Sequence, residues 1–248
     1  MVHWIGTSWK MNGTQDFGEN YAKKLREAKV GQVEGIQPFI IPPFTLTTTV
    51  AKALGRFSGV ALGVQNAHWE DSGAWTGEIS MLQAKDAGAQ VVELGHSERR
   101  EYFGETDETV NLKVKAALRN NLRPLVCFGE PLEVFEAGES IPFITAQVDA
   151  ALDGVEDTSS ILLAYEPIWA IGEKGREPNP EDLETAFAEL SARYADRVEG
   201  ILYGGSVNHD NNQWLLRIPG IDGLFIGRSA WTPEGYLENI RLAKEVIG

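Results

Sequence analysis

The chain has 248 residues, 22 of them basic and 36 acidic, giving a formal net charge of −14 with histidines neutral. Nucleic-acid backbones demand a basic face, so this balance argues against a nucleic-acid partner. With 43% hydrophobic and 23% charged residues, the composition is globular and excludes disordered, collagen-like and coiled-coil chains.

The lone Cys127 has no internal disulfide partner. The N-terminal stretch VHWIGTSWKMN lacks the apolar core and small-residue cleavage site of a secretory leader, and no run of about 18 apolar residues exists. These features predict a cytoplasmic protein with no membrane span.

Eight short apolar, strand-like runs follow in order: HWIGTSW (3–9), PFIIPPF (38–44), GVALGVQ (59–65), QVVELG (90–95), RPLVCFG (123–129), SILLAYEP (160–167), GILYGG (200–205) and GLFIG (223–227). Between them lie amphipathic segments such as 16–28, 107–120 and 181–195, the last opened by Asn179 and Pro180 as N-cap and first helical residue. Alternating strand and helix predicts a parallel sheet. Eight such units would close an α/β barrel, a (β/α)8 TIM barrel forming one domain over 1–248. An open doubly wound sheet is the competing architecture, although no G-x-G-x-x-G follows the first run.

In either parallel fold the chemistry gathers at the C-terminal ends of the strands. Glu166 ends the sixth run, where partial desolvation makes a carboxylate a stronger base. Its alternative role is a strand-end acid that caps a helix or pairs with a lysine. His96 ends the fourth run beside Ser97 and Glu98, which open a helix; a helix N-terminus disfavours the imidazolium, leaving a neutral ring able to donate to a substrate oxygen. His3, His68 and His209 read as structural or solvated. Lys10 follows the first run and suits stabilisation of negative charge or simple exposure. The glycine-rich turns YGGSV (203–207) and IGRSA (226–230) close runs seven and eight, the usual phosphate site of such barrels. Together these groups describe an acid/base site for a small phosphorylated substrate.

The pieces WKMN (9–12), QN (65–66), TGEIS (76–80), LGHSERR (94–100), CFGE (127–130), AYEPIWAIG (164–172) and YGGSV (203–207) occur in order along the full chain. Together they resemble the triosephosphate isomerase family. The resemblance implies the (β/α)8 barrel, with Glu166 as the base, His96 as a neutral electrophile, Lys10 as the cation facing the enediolate and Glu98 as a buried partner of the lysine. Triosephosphate isomerase is a well-known case of a glutamate base paired with a neutral histidine. The resemblance also implies a lid over 167–177 and phosphate contacts from backbone N–H groups of Gly172, Ser206, Gly227 and Arg228. It further implies a homodimer in which the 66–78 loop, with Trp69 and Trp75, carries Thr76 to the partner's Lys10 and Glu98. Neither a metal nor an organic cofactor is expected.

Three positions depart from the family pattern. Ser8 precedes Trp9-Lys10 where asparagine is usual, the lid reads Gly172-Glu173-Lys174-Gly175-Arg176 instead of Gly-Thr-Gly-Lys, and Gly227-Arg228 replaces two successive glycines. In TSWKMN and IGRSAW the chain resembles a subgroup that interconverts L-erythrulose 1-phosphate and D-erythrulose 4-phosphate. Ser8 is smaller than asparagine and opens room for the added hydroxymethyl group, favouring that pair over triose phosphates. A catalytically inert barrel kept as a binding protein is a third reading, and it would be signalled by loss of Glu166, His96 or Lys10. All three are present.

Overall fold

The computed structural model describes residues 2–56, 58–171 and 176–248. Eight parallel strands form one closed barrel in sequence order: β1 (His3–Ser8), β2 (Ile36–Ile41), β3 (Ala61–Val64), β4 (Val91–Leu94), β5 (Arg123–Phe128), β6 (Leu162–Tyr165), β7 (Gly200–Tyr203) and β8 (Gly223–Ile226). Pairing of Trp4 with Gly223 through Thr7 with Ile226 closes β8 onto β1. All eight apolar runs are therefore strands, and the closed order removes the open-sheet alternative.

Around the barrel run α1 (Gln15–Glu27), α2 (Thr47–Leu54), α3 (Met81–Asp86), α4 (Ser97–Phe103), α5 (Asp107–Arg119), α6 (Leu132–Glu136), α7 (Ser140–Leu152), α8 (Pro180–Tyr194), α9 (Asn212–Leu215) and α10 (Pro233–Ile247). In α8, Leu183, Ala186, Phe187, Leu190 and Tyr194 are buried at helical spacing, so one stripe faces the strands. The anticipated Asn179–Pro180 start holds: Asn179 is extended at the N-cap and Pro180 occupies the first turn, although no side-chain cap bond forms. Helix α10 starts where Thr232 accepts the Gly235 N–H, and the buried Tyr236 hydroxyl donates to the Ile5 carbonyl at 2.7 Å, tying the last helix to the first strand.

Two apolar layers result. Trp4, Phe39, Ile41, Val91, Leu125, Cys127, Ala164, Leu202 and Phe225 fill the lumen, while a larger set, including Ile5, Val92, Leu94 and Tyr236, packs between strands and helices. Because the strands are buried on both faces, nearly every position is apolar, as parallel sheets require. Gly6, two residues on from the lumen-facing Trp4, is glycine because a Cβ there would lie 2.3 Å from the Phe39 ring.

A buried ionic group braces the loops above β3 and β4. Lys113 on α5 donates to Glu105 at 2.6 Å and to Asn66 at 2.9 Å, and Arg99 meets the other Glu105 oxygen at 3.1 Å. This anchors the start of the 66–78 loop. The loop base is closed where the His68 N–H donates to the Ile79 carbonyl at 2.7 Å. Beyond it, residues 70–78 stand exposed.

Candidate active site

At the C-terminal end of the barrel, Ser8, Lys10, His96, Glu98 and Glu166 line one cavity of about 590 Å³ with Ser206, Gly227 and Arg228. The structure thus brings together the described residues singled out in the sequence. Gly172 lies outside the described residues, as does the 172–175 part of the expected lid. A hollow of about 670 Å³ at the opposite end holds Arg56, Arg123 and Glu199 as its ionisable groups. There Glu199 is paired to Arg123 at 2.5 Å, leaving no free base.

Strand β6 continues one residue into Glu166, whose N–H donates to the Phe128 carbonyl at 2.8 Å. Alternation along Leu162, Ala164 and Glu166 points its side chain inward. The carboxyl is buried, and its Oε2 has no hydrogen-bond partner. Burial, then the Glu93 carboxylate, raises its pKa well above the usual carboxylate value, while Lys10 acts in the opposite direction. When ionised, Glu166 is therefore a stronger base than a solvated glutamate. Gly204 is needed beside it, because a Cβ there would sit 2.6 Å from Glu166 Cγ.

His96 is the N-cap of α4, and its Nδ1 accepts the Glu98 N–H at 3.1 Å. That bond assigns the ring proton to Nε2, which lies 3.4 Å from Glu166 Oε2. Burial first, then the Lys10 charge, lowers the His96 pKa to about 4, so the ring is neutral at any pH well above that value. We predict ¹⁵N shifts of a neutral Nε2–H tautomer for His96 from pH 8 down to pH 5.5. A midpoint near the ordinary value of about 6.5 would contradict this assignment.

Lys10 adopts a left-handed backbone with φ 51°, and its carbonyl accepts a 2.8 Å hydrogen bond from Gln65. Its ammonium meets Glu98 Oε1 at 2.6 Å. This confirms the expected Lys10–Glu98 contact but corrects its setting. The Glu98 side chain is 45% exposed, because it stands in the first turn of α4 at the cavity rim.

The turns after β7 and β8 supply Ser206, Gly227 and Arg228 at the cavity wall. The Ser206 hydroxyl donates to the Ala170 carbonyl, fastening this turn to the short 3₁₀ segment Ile168–Ala170. Trp169 in that segment donates its indole N–H to the buried Glu130 at 2.9 Å. The first part of the 167–177 segment is thereby anchored.

Three neighbours of these residues carry no individual role in the sequence, although Gln65 and Gly204 lie in the quoted QN and YGGSV pieces. Glu93 lies inside the barrel, Gln65 holds the Lys10 backbone, and Gly204 makes room for the base. His68 also does more than fill space. Its ring stacks against Trp69 and Trp75 at centroid distances of 4.1 and 4.3 Å, building the aromatic knot of the exposed loop.

A strong buried base, a neutral imidazole N–H and an ammonium converge on one cavity of a (β/α)8 barrel, which defines the class: a barrel equipped for proton transfer beside a carbonyl. A sequence model described as triosephosphate isomerase matches residues 3–243. The chain belongs to the triosephosphate isomerase family. Proteins named L-erythrulose-1-phosphate isomerase are similar to it. That of Mycolicibacterium smegmatis is 56% identical over 243 residues, covering 97% of this chain and 92% of its own. That of Rhizobium rhizogenes is 51% identical over 243 residues, covering 95% and 92%. That of Mesorhizobium japonicum is 46% identical over 253 residues, covering 100% and 99%.

Proposed function

We propose that the protein interconverts L-erythrulose 1-phosphate and D-erythrulose 4-phosphate by one-base proton transfer. The observation that carries this reading is Ser8 in the wall of the catalytic cavity, beside intact Lys10, His96 and Glu166. The four-carbon substrate is a triose ketose phosphate bearing one more hydroxymethyl group, and a serine leaves room for it. The names of relatives at 46–56% identity support the same assignment.

Glu166 removes the proton from the hydroxyl-bearing carbon next to the carbonyl. The C–H electron pair becomes the new C=C bond, and the carbonyl π pair moves onto oxygen. His96 Nε2–H and Lys10 stabilise this enediolate, where preorganised donors act most strongly. Protonated Glu166 returns the proton to the neighbouring carbon while the hydroxyl proton passes between the two oxygens through His96, leaving the carbonyl one carbon further along. Backbone N–H groups of Ser206, Gly227 and Arg228 hold the phosphate, joined by Gly172 of the lid. Glu98 fixes the Lys10 ammonium in line with the developing charge.

The exposed loop is the second part of the reading: it docks on a second copy, carrying Thr76 toward the partner's Lys10 and Glu98. Trp75 is 48% exposed, and Met11, beside Lys10, is 96% exposed. Aromatic and methionine side chains are enriched in such interfaces. Sedimentation should find a dimer at micromolar concentration, with an interface above about 1,000 Å². A stable, fully active monomer contradicts it. No helix among the described residues is long and apolar enough to cross a membrane, and we place the enzyme in the cytoplasm.

Turnover in deuterated water tests the chemistry. The product from L-erythrulose 1-phosphate should carry solvent deuterium on the carbon protonated by Glu166 to the extent that the carboxyl exchanges before it returns its proton, and Glu166→Gln should abolish both turnover and exchange. Exchange at the wild-type rate in Glu166→Gln, or no product from wild type, overturns the assignment of the base or of the substrate respectively.

A further inference from the structure

The turns after β7 and β8 both line the catalytic cavity, through Gly204–Asn208 and Gly227–Ser229. Pairing of β7 with β8 ends where Tyr203 stands opposite Leu224, so sheet hydrogen bonding no longer sets the spacing of the turns that follow. A side chain joins them instead. The Ser229 hydroxyl, from the second turn, donates to the Val207 carbonyl of the first at 2.9 Å.

Ser229 is itself held from the helical layer. Asn239 Nδ2 on α10 donates to the Gly235 carbonyl at 2.9 Å and lies 3.5 Å from the Ser229 carbonyl and 3.4 Å from its hydroxyl. Asn239 Oδ1 in turn accepts Asn212 Nδ2 of α9 at 2.9 Å. Both asparagines are fully buried, where an amide is costly unless it is bonded. Gly235 lets α10 come this close, since a Cβ there would sit 2.2 Å from the Ser229 carbonyl oxygen. The neighbouring carbonyl of the first turn, that of Ser206, accepts Asn211 Nδ2 at 2.7 Å.

Side-chain donors therefore occupy two successive carbonyls of the first turn. A turn that offers N–H groups to an anion needs this, because a free carbonyl beside a phosphate would repel it. With a net charge of −14 the protein's overall field opposes a phosphate, so the local donors must be well placed.

We propose that Ser229 is a positioning residue for the substrate's phosphate: its hydroxyl is a strut that fixes the spacing of the two turns, so that N–H groups from both converge on one phosphate. This deepens, and rests on, the phosphate contacts proposed above. Ser229 acts through Val207, and Asn239 with Asn212 keeps the strut in place. Donors work only within a narrow range of distance and angle, so a small drift between the turns misplaces those of one of them.

Inorganic phosphate, tested as a competitive inhibitor against whichever sugar phosphate the wild-type protein turns over, reads this site without the sugar. Ser229→Ala should raise its Ki by about tenfold or more, as expected when one charge-assisted hydrogen bond is lost. KM for the sugar phosphate should rise by a similar factor while kcat falls by less than about threefold, because a group remote from the reacting carbons is bound alike in ground and transition states. Ser229→Thr keeps a hydroxyl and should hold Ki within about threefold of wild type. A fall in thermal stability alone changes the amount of active protein and leaves Ki where it was.

A Ki in Ser229→Ala within about twofold of wild type, whatever its stability, overturns the proposal. So does a threonine variant as weak as the alanine one. If phosphate does not compete in the wild-type protein, the phosphate contacts fall and this inference with them. If phosphate competes but the protein prefers triose phosphates, the tetrulose reading falls alone, and the same Ki values still decide the role of Ser229.

Discussion

Glu166→Gln should lower kcat by about 10²–10⁴-fold, the typical worth of a positioned general base. Glutamine keeps the shape that fits against Gly204, and the position lies just past β6 at the mouth of the barrel, so the fold should survive. Glu166→Asp tests reach separately. It keeps the carboxylate but withdraws it by one methylene, and a displacement of about 1 Å can cost about 10²-fold. In both variants far-ultraviolet circular dichroism should match wild type, and substrate binding should weaken far less than turnover. A loss of only twofold in either would assign the base to another residue.

The second large effect is on substrate choice. Ser8→Asn returns a larger amide to the cavity wall and should penalise L-erythrulose 1-phosphate relative to dihydroxyacetone phosphate. One methylene-sized group in a pocket is worth about 1–3 kcal/mol, or about 10–200-fold in the ratio of kcat/KM values. The predicted sign is a loss on the four-carbon substrate that exceeds any loss on the three-carbon one. An equal loss on both would show that position 8 tunes the site as a whole and does not gate the hydroxymethyl group.

The eight strands were legible because each is a compact apolar run bounded by turn residues, and the amphipathic α1, α5 and α8 matched their predicted spans within a residue or so. Helix α2 was hidden by its Thr-Thr-Thr-Val opening, whose β-branched residues resemble a strand. Helix α7 carries Ile, Phe, Val and Ala without a clear polar face, so its period does not stand out.

Within the site, Glu166, His96 and Lys10 were readable as polar residues at strand ends. Glu93 was not, since it sits within an apolar run whose two faces are both buried, and inward and outward positions cannot be told apart without the barrel. The rim position of Glu98 was hidden for a related reason. Its ion pair with Lys10 depends on how far α4 stands from the end of β1, which the local sequence does not encode.

The central claim is that an enediolate site of this family has been enlarged for a four-carbon ketose phosphate. The most direct measurement is the wild-type kcat/KM for L-erythrulose 1-phosphate against that for glyceraldehyde 3-phosphate, taken with one preparation under one set of conditions. The account predicts a ratio well above one. Turnover of glyceraldehyde 3-phosphate near the diffusional ceiling of about 10⁸–10⁹ M⁻¹s⁻¹, with no turnover of erythrulose phosphates, would contradict it.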